Sequence, residues 1–292
     1  MSELQIMYKT RLLLSGFNNG YTNMAIDEAV FASQRENPSL FTLRLYGWKP
    51  ATISLGYFQE PAQVLNFEKL NLYNVGYVKR PTGGDAIFHD AEVTYSVITP
   101  LEYILNTTIS SDNDVDIATP YKIILGGILK GLELLGLNAN LRGQKIFSEF
   151  QHPYCFANNS AFDIVASEKK LVGSAQRRSK KVVMQHGSIP LKFDIDKMFE
   201  CLKAKSEKER QFLKNDYLKK VTSLEAELHR ALTYEEVVQY IAKGWENHFN
   251  IKFEIEETTE SKIDGLTETE TNLVDKFSQK YKPAIDCKSD FK

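Results

Sequence analysis

The chain has 292 residues, 42% of them hydrophobic and 25% charged, a globular composition long enough for one large domain or two small ones. Its formal net charge of -2 excludes the global basic field that points to nucleic acid and leaves acidic partners to a local patch. No run approaches the roughly 18 apolar residues of a membrane span, the N-terminus lacks a signal-type apolar stretch, and the widely spaced Cys155, Cys201 and Cys287 make no disulfide framework, so a cytoplasmic protein is expected.

In chain order, a first helix is expected over 23–33, with Asp27 and Glu28 early enough to favour its dipole. Alternation then places Phe41, Leu43 and Leu45 on one face of a strand and Thr42, Arg44 and Tyr46 on the other. Further strands are expected over 51–57 and 76–79, and one around Val93, Tyr95 and Val97 that Pro100 ends. The polar stretch 107–118 reads as a loop. Thr119 and Pro120 suit the cap and first turn of a helix in which Ile124, Leu125, Ile128, Leu129, Leu132 and Leu135 fall at helical spacing, and Gly136 can close it.

Three short strands (161–166, 170–176, 181–191) follow as an antiparallel meander, with turns at Glu168-Lys169 and over 177–180. Beyond 195 the pattern is helical. Thr233 and Glu236 make a capping box ahead of Val237, Val238, Ile241 and Trp245, and a strand (251–256) and a helix (267–281) finish the chain. This irregular mixture predicts an α+β fold of mixed or antiparallel sheets packed with helices, not a βαβ repeat. One domain is expected over 1–292, its core about 12–250, with a C-terminal helical tail packed on it.

Three segments carry residues that purely structural work does not require. In Arg80-Pro81-Thr82-Gly83-Gly84-Asp85-Ala86-Ile87-Phe88-His89-Asp90, two glycines after a strand let the backbone approach a ligand. Arg80 can neutralise a phosphate there, and His89 and Asp90 can bond across a turn; a hairpin with turn glycines is the plain structural reading. In His152-Pro153-Tyr154-Cys155-Phe156-Ala157-Asn158-Asn159-Ser160, Cys155 is either an accessible nucleophile or a small buried hydrophobe. No other Cys/His pair stands at ligand spacing, so no metal site is expected. The third segment is Lys169-Lys170-Leu171-Val172-Gly173-Ser174-Ala175-Gln176, followed by Gln185-His186-Gly187-Ser188. Its small residues leave room for a ligand, and Lys170, if aimed into the same pocket as Cys155, would favour the thiolate. As turn lysines, Lys169 and Lys170 would simply face water.

Together these segments resemble the lipoate-protein ligase, biotin ligase and octanoyltransferase superfamily, and within it the single-domain octanoyltransferases of the LipM type. The resemblance covers about 12–191. It runs through Asn23-Met24-Ala25, Asp27-Glu28, Leu43-Arg44-Leu45-Tyr46-Gly47-Trp48, Ser54-Leu55-Gly56-Tyr57-Phe58-Gln59 and Arg80-Pro81-Thr82-Gly83-Gly84, and ends in Gly173-Ser174-Ala175-Gln176 and Gln185-His186-Gly187-Ser188-Ile189. It implies a biotin/lipoate-ligase-like fold. The Cys-Phe of the LipM-type motif falls on Cys155 and Phe156, its serine on Ser160, its acidic position on Asp163 and the family's lysine on Lys170. Substrate contacts are then expected from Tyr46, Arg80, Gly83, Gly84, His89, Gly173, Ser174, Ala175, His186 and Gly187. Two departures stand out. Asp85 replaces a third glycine usual in ligases, and Ala157-Asn158-Asn159 replaces a stretch that usually holds proline.

The resemblance implies a ping-pong acyltransferase with Cys155 and Lys170 as catalytic residues and no cofactor. Octanoyl would pass from octanoyl-acyl carrier protein to a thioester on Cys155, then to a lysine of a lipoyl-domain protein such as the glycine cleavage H protein. The basic turn of Arg177, Arg178, Lys180 and Lys181 is either a solvated hairpin tip or a seat for an acidic carrier protein. Three alternatives stay open: an ATP-dependent lipoate ligase with Cys155 incidental, an amidotransferase between lipoyl-bearing proteins, and an inactive acyl-binding or carrier-protein-binding module.

Overall fold

The computed structural model describes residues 9–106, 118–144, 157–158, 160–253 and 265–282. The first third holds β1 (Lys9–Asn18), α1 (Gly20–Glu36), β2 (Leu40–Trp48), β3 (Thr52–Leu55), α2 (Pro61–Val64), α3 (Phe67–Leu72), β4 (Gly76–Lys79), β5 (Ile87–His89) and β6 (Glu92–Pro100). The middle adds α4 (Leu101–Asn106), α5 (Ala118–Leu134), β7 (Asn140–Leu141), β8 (Ile164–Ala166), β9 (Lys169–Arg178) and β10 (Val182–Pro190). Helices close the chain: α6 (Ile195–Glu200), α7 (Glu207–Lys220), α8 (Leu224–Leu228), α9 (Tyr234–Phe249) and α10 (Glu268–Tyr281).

The strands form a seven-stranded sheet in the order β1-β2-β6-β10-β9-β8-β7 and a three-stranded sheet in the order β4-β3-β5. Each sheet contains one parallel pair, β1 with β2 and β3 with β4; the other pairs are antiparallel. The expected α+β mixture is therefore the observed one, and β8, β9 and β10 form the expected meander.

Strand register sorts the large sheet into two chemically different faces. Phe41, Leu43 and Leu45 of β2, Val93 and Val97 of β6 and Val183 and Ile189 of β10 join the main core with α5 and α9. The helix pair packs at close range: a Cβ on Gly244 of α9 would overlap the Gly131 backbone of α5, and one on Gly127 would meet the Trp245 ring at 2.6 Å. The opposite face carries Arg44, Tyr46 and Trp48 of β2, Thr94 and Ser96 of β6, and His186 and Ser188 of β10, all buried. Part of that face is covered by α1, through Ala25, Ile26, Ala29 and Val30 against Ile98, Val182 and Met184. The small sheet covers the remainder.

Several expectations need correction. Helix α1 starts earlier than 23 because Asn19 caps it, its side chain accepting from Thr22 N at 2.9 Å. Asp27 and Glu28 therefore lie beyond the first turn and answer to ion pairs, not to the dipole. The meander turns fall at Ser167-Glu168, both with positive φ, and at Ser179-Lys180, so Lys169, Arg177 and Arg178 are strand residues. At α9, Thr233 accepts from Glu236 N at 3.1 Å, but the Glu236 carboxylate pairs with Arg230, so the box is half made. A full reciprocal capping box stands instead at Thr267 and Glu270 of α10. Residues 251–253 are not a strand, and 254–256 lie outside the described residues, as does 107–117 of the expected loop. No helix among the described residues is long and apolar enough to cross a membrane.

Candidate active site

The two sheets and α1 enclose a small cavity of about 20 Å³. Its walls include Tyr46, Trp48, His89, Gly173, Ala175, His186 and Gly187. Gly173, Ala175 and Gly187 keep its floor low. Gly187 contributes backbone to that floor, since a Cβ there would point to the opposite face of the sheet, 2.6 Å from Gly173 O and 2.6 Å from the Tyr95 ring.

Buried polar side chains hold the walls. Arg44 donates to Asp27 Oδ1 at 2.7 Å and to Asn23 Oδ1 at 2.7 Å, and Tyr46 Oη donates to Asp27 Oδ2 at 3.1 Å. Burial by itself raises the Asp27 carboxyl, but Arg44 and His186 outweigh it and hold the group below its ordinary value. His186 Nε2 lies 2.7 Å from Thr82 Oγ1, while its Nδ1 stands 3.7 Å from Asp27 Oδ2, beyond hydrogen-bond reach. Burial, helped by Arg80 and His89, pushes His186 down despite Asp27.

A second network centres on Glu92. Its carboxylate accepts from His89 Nδ1 at 2.8 Å, from Ser188 Oγ at 2.6 Å and from Thr94 Oγ1, while Trp48 Nε1 donates to Thr94 Oγ1 at 2.7 Å. His89 also stacks on Trp48 with centroids 4.1 Å apart, which fixes both rings.

The glycine loop is shaped by Arg80 from within. Its guanidinium donates to the carbonyls of Ser54 at 3.0 Å, Gly83 at 2.7 Å and Asp85 at 2.8 Å. Arg80 is buried, so these contacts brace the loop backbone in place of the phosphate considered from sequence. Gly84 has φ +91, and its carbonyl would overlap a Cβ on Gly56, which explains why small residues recur in both segments.

Lys170 is buried, which rules out the water-facing reading. Its Nζ lies 2.9 Å from Asp163 Oδ1 and donates to Asn158 O at 3.0 Å. Asp163 Oδ2 accepts from Ser160 N at 2.7 Å. Asn158 Nδ2 in turn donates to Asp85 Oδ2 at 3.0 Å. The two departures from the family pattern thus touch each other and tie the glycine loop to the segment that Lys170 holds. Cys155 and Phe156 lie outside the described residues, as does Cys287. Cys201 is buried, and burial pushes its thiol up to about 12, which makes it a poor nucleophile.

Of the residues expected from sequence, Tyr46, Arg80, His89, Gly173, Ala175, His186 and Gly187 meet at one cavity. Ser174 instead faces the opposite side of the sheet, where its Oγ lies 2.7 Å from Tyr95 Oη. Gly83 opens onto an outer groove of about 910 Å³, which Arg80 also reaches. Sequence reasoning assigned no site role to Glu92, to Thr94 or to Ser54, which entered only as part of a motif. Their signal was the polar phase of strands whose other phase is apolar.

A large mixed sheet and a small one closing over a glycine-floored cavity define the lipoate-ligase class of fold. The bipartite lipoate protein ligase of Thermoplasma acidophilum superposes with a TM-score of 0.72 at 22% identity, covering 93% of this chain and 92% of that one. A lipoate-protein ligase A solved with ATP superposes with a TM-score of 0.70 at 22% identity, over 93% of this chain and 95% of that one. The chain belongs to the lipoyl protein ligase A/B catalytic domain family, whose sequence profile matches residues 19–246. It is similar to the octanoyltransferase LipM of Clostridioides difficile, 35% identical over 94% of this chain and 97% of that protein. The octanoyltransferase LipM of Bacillus subtilis is also 35% identical, over 87% of this chain and 91% of its own length.

Proposed function

We propose that the chain is an octanoyltransferase of lipoate biosynthesis that works in the cytoplasm. It takes octanoyl from acyl carrier protein onto Cys155 and delivers it to a lysine of a lipoyl-domain protein such as the glycine cleavage H protein. The observation that carries this reading is the seating of Lys170. Its buried ammonium is held between Asp163 and the carbonyl of Asn158, three positions beyond Cys155 in the sequence. A fixed cation beside that segment favours a thiolate over a thiol.

In the first step the Cys155 thiolate attacks the donor's carbonyl carbon, the carrier's thiolate leaves and takes up a proton, and a new thioester forms. In the second, the acceptor's neutral amine attacks that thioester, the Cys155 thiolate departs and the amine gives up a proton, leaving an amide. Thioester exchange is nearly balanced, and amide formation draws the sequence forward. Backbone N–H groups of the Gly83-Gly84 loop are the candidate donors to the oxyanion. The remaining wall residues, Tyr46, His89, Gly173, Ala175, His186 and Gly187, are assigned to acyl binding, with Arg80 bracing the loop. The chain is read as one catalytic unit with α10 laid on it, supported by the buried pair of Arg11 and Glu270 at 2.8 Å.

The test is intact mass after mixing with octanoyl-carrier protein without ATP. A hydroxylamine-labile octanoyl adduct located at Cys155, and no labile adduct on Cys155→Ser, is expected. Acceptor acylation only from free octanoate plus ATP would replace this reading with a ligase. Acylation only from an octanoylated protein donor would replace it with an amidotransferase, and none from any donor would leave a binding module.

A further inference from the structure

A second concavity lies beyond the cavity along β9. Between the C-terminal end of α1 and the β9–β10 turn, a cleft of about 530 Å³ is lined by Arg35, Arg177, Arg178, Lys180 and Lys181, with Phe31 and Ser179. Among the described residues, no acidic side chain lines it. On a chain of net charge -2, this is a concentrated local field. Arg177 also lines the outer groove, whose walls add Lys280, Lys282 and the aromatic rings of Tyr57, Phe58 and Tyr281. That groove is also lined by Pro81 and Gly83 of the glycine loop. From there the contacts run through Asp85 and Asn158 to Lys170.

We infer that this basic cleft is the docking surface for the acidic carrier protein that brings the thioester, with the aromatic groove receiving the arm on which the thioester travels. The inference rests on the transferase reading above. Distance decides between donor and acceptor. Arg177 stands seven residues from Lys170 along β9, roughly 23 Å at about 3.3 Å per residue. An acceptor lysine has only a four-carbon stem, so its protein must dock against the reacting carbonyl itself. A carrier protein holds its thioester at the end of a long pantetheine-type arm rooted in a phosphodiester. That arm can span the offset while its phosphate and the carrier's acidic surface meet the cations.

The experiment compares acyl-enzyme formation by the full chain from two donors, octanoyl-carrier protein and octanoyl-pantetheine. The variant is Arg35→Glu/Lys180→Glu/Lys181→Glu, whose three side chains are exposed. Its KM for octanoyl-carrier protein should rise about tenfold or more, kcat should stay within about twofold, and the gap should close at high salt. Loading from octanoyl-pantetheine should match wild type. Normal loading from the carrier would overturn the docking surface and leave the transferase intact. Normal loading with poor transfer to the lipoyl-domain acceptor would reassign the cleft to the acceptor and so overturn the inference. If wild type loads from neither donor, the transferase reading fails and takes the inference with it. Should the triple variant lose octanoyl-pantetheine loading as well, Lys180→Ala/Lys181→Ala is read the same way. A rise of about threefold in carrier KM is expected there, and no rise overturns the surface.

Discussion

Lys170 is where the chemistry and the stability of this site are inseparable. Its ammonium neutralises Asp163 inside the protein, and Asp163 also receives Ser160 N at 2.7 Å. Lys170→Met leaves a carboxylate buried without that cation, which costs about 3 kcal/mol or more in urea unfolding. Adding Asp163→Asn removes a charge then left with the more distant Arg142 Nε at 3.9 Å, but keeps an acceptor for Ser160, so much of the stability returns. Acyl-enzyme formation stays lost in both variants, because neither carries the cation. Recovery of acylation in the double variant would demote Lys170 to a structural role. His186 gives a pH signature of its own. Its folded pKa lies below the ordinary 6.5, so as pH falls through that value the unfolded chain takes up a proton that the native chain refuses. Stability is full above pH 6.5 and declines below it, and Asp27, depressed from 3.8, extends the loss in stronger acid. Melting temperature should fall between pH 7 and pH 5, with a shallower fall in His186→Asn. His248, lowered by burial against α5, acts in the same direction, so His248→Gln serves as the separate measure of its share.

At the level of elements, the α5–α9 contact shows what periodicity reveals and what it hides. The apolar spacing of Ile124, Ile128 and Leu132, and of Val237, Ile241 and Trp245, marked both core-facing stripes from sequence, and all six are buried. It could not show that Gly131 meets Gly244, because a glycine contributes nothing to a hydrophobic pattern. Gly244→Ala should therefore destabilise by about 1–3 kcal/mol by overpacking the crossing, although alanine is the better helix former. A stabilised variant in thermal melts would mean that the helices can separate at little cost. The same limit governs the site. Glycine pairs, a histidine and a lysine next to strand signals were legible as candidates, and their convergence followed from motif order. Glu92 was not singled out, since a carboxylate at a strand end usually faces water. The register of β6 against β10 brings Ser188 to it, and the small sheet packed over that face brings His89. The start of α1 was misplaced for a related reason: Asn19 caps it through geometry that several nearby polar residues could equally have supplied, whereas the helix expected over 267–281 stands at Glu268–Tyr281.

Across the whole molecule, the first strand and the last helix among the described residues are joined by a buried pair. Arg11 of β1 reaches Glu270 of α10 through two bonds, at 2.8 and 3.0 Å, and donates a third to Gly265 O at 2.6 Å. Glu270 also accepts from Thr267 N at 2.8 Å, so the residue that starts α10 is the one that anchors it. At the other end of the helix, Lys280 and Tyr281 both hold Glu28 of α1 at 2.7 Å, beside the Asp27 that orders the cavity wall. Helix α10 is thus a strap across α1, and its last residues also wall the groove. Glu270→Gln keeps an acceptor for the cap but leaves Arg11 buried without its counter-charge, an expected loss of about 3 kcal/mol. If α10 is integral, unfolding stays a single transition at lower urea, and exchange protection falls in α1 as well as in α10. If α10 is a separable appendage, α10 amides alone exchange faster and the midpoint holds. Coupling of α1 to α10 is the expected result. Replacing the pair by Arg11→Met/Glu270→Leu should recover a good part of the lost stability, since two apolar groups leave no buried charge unpaired, although leucine removes the capping acceptor.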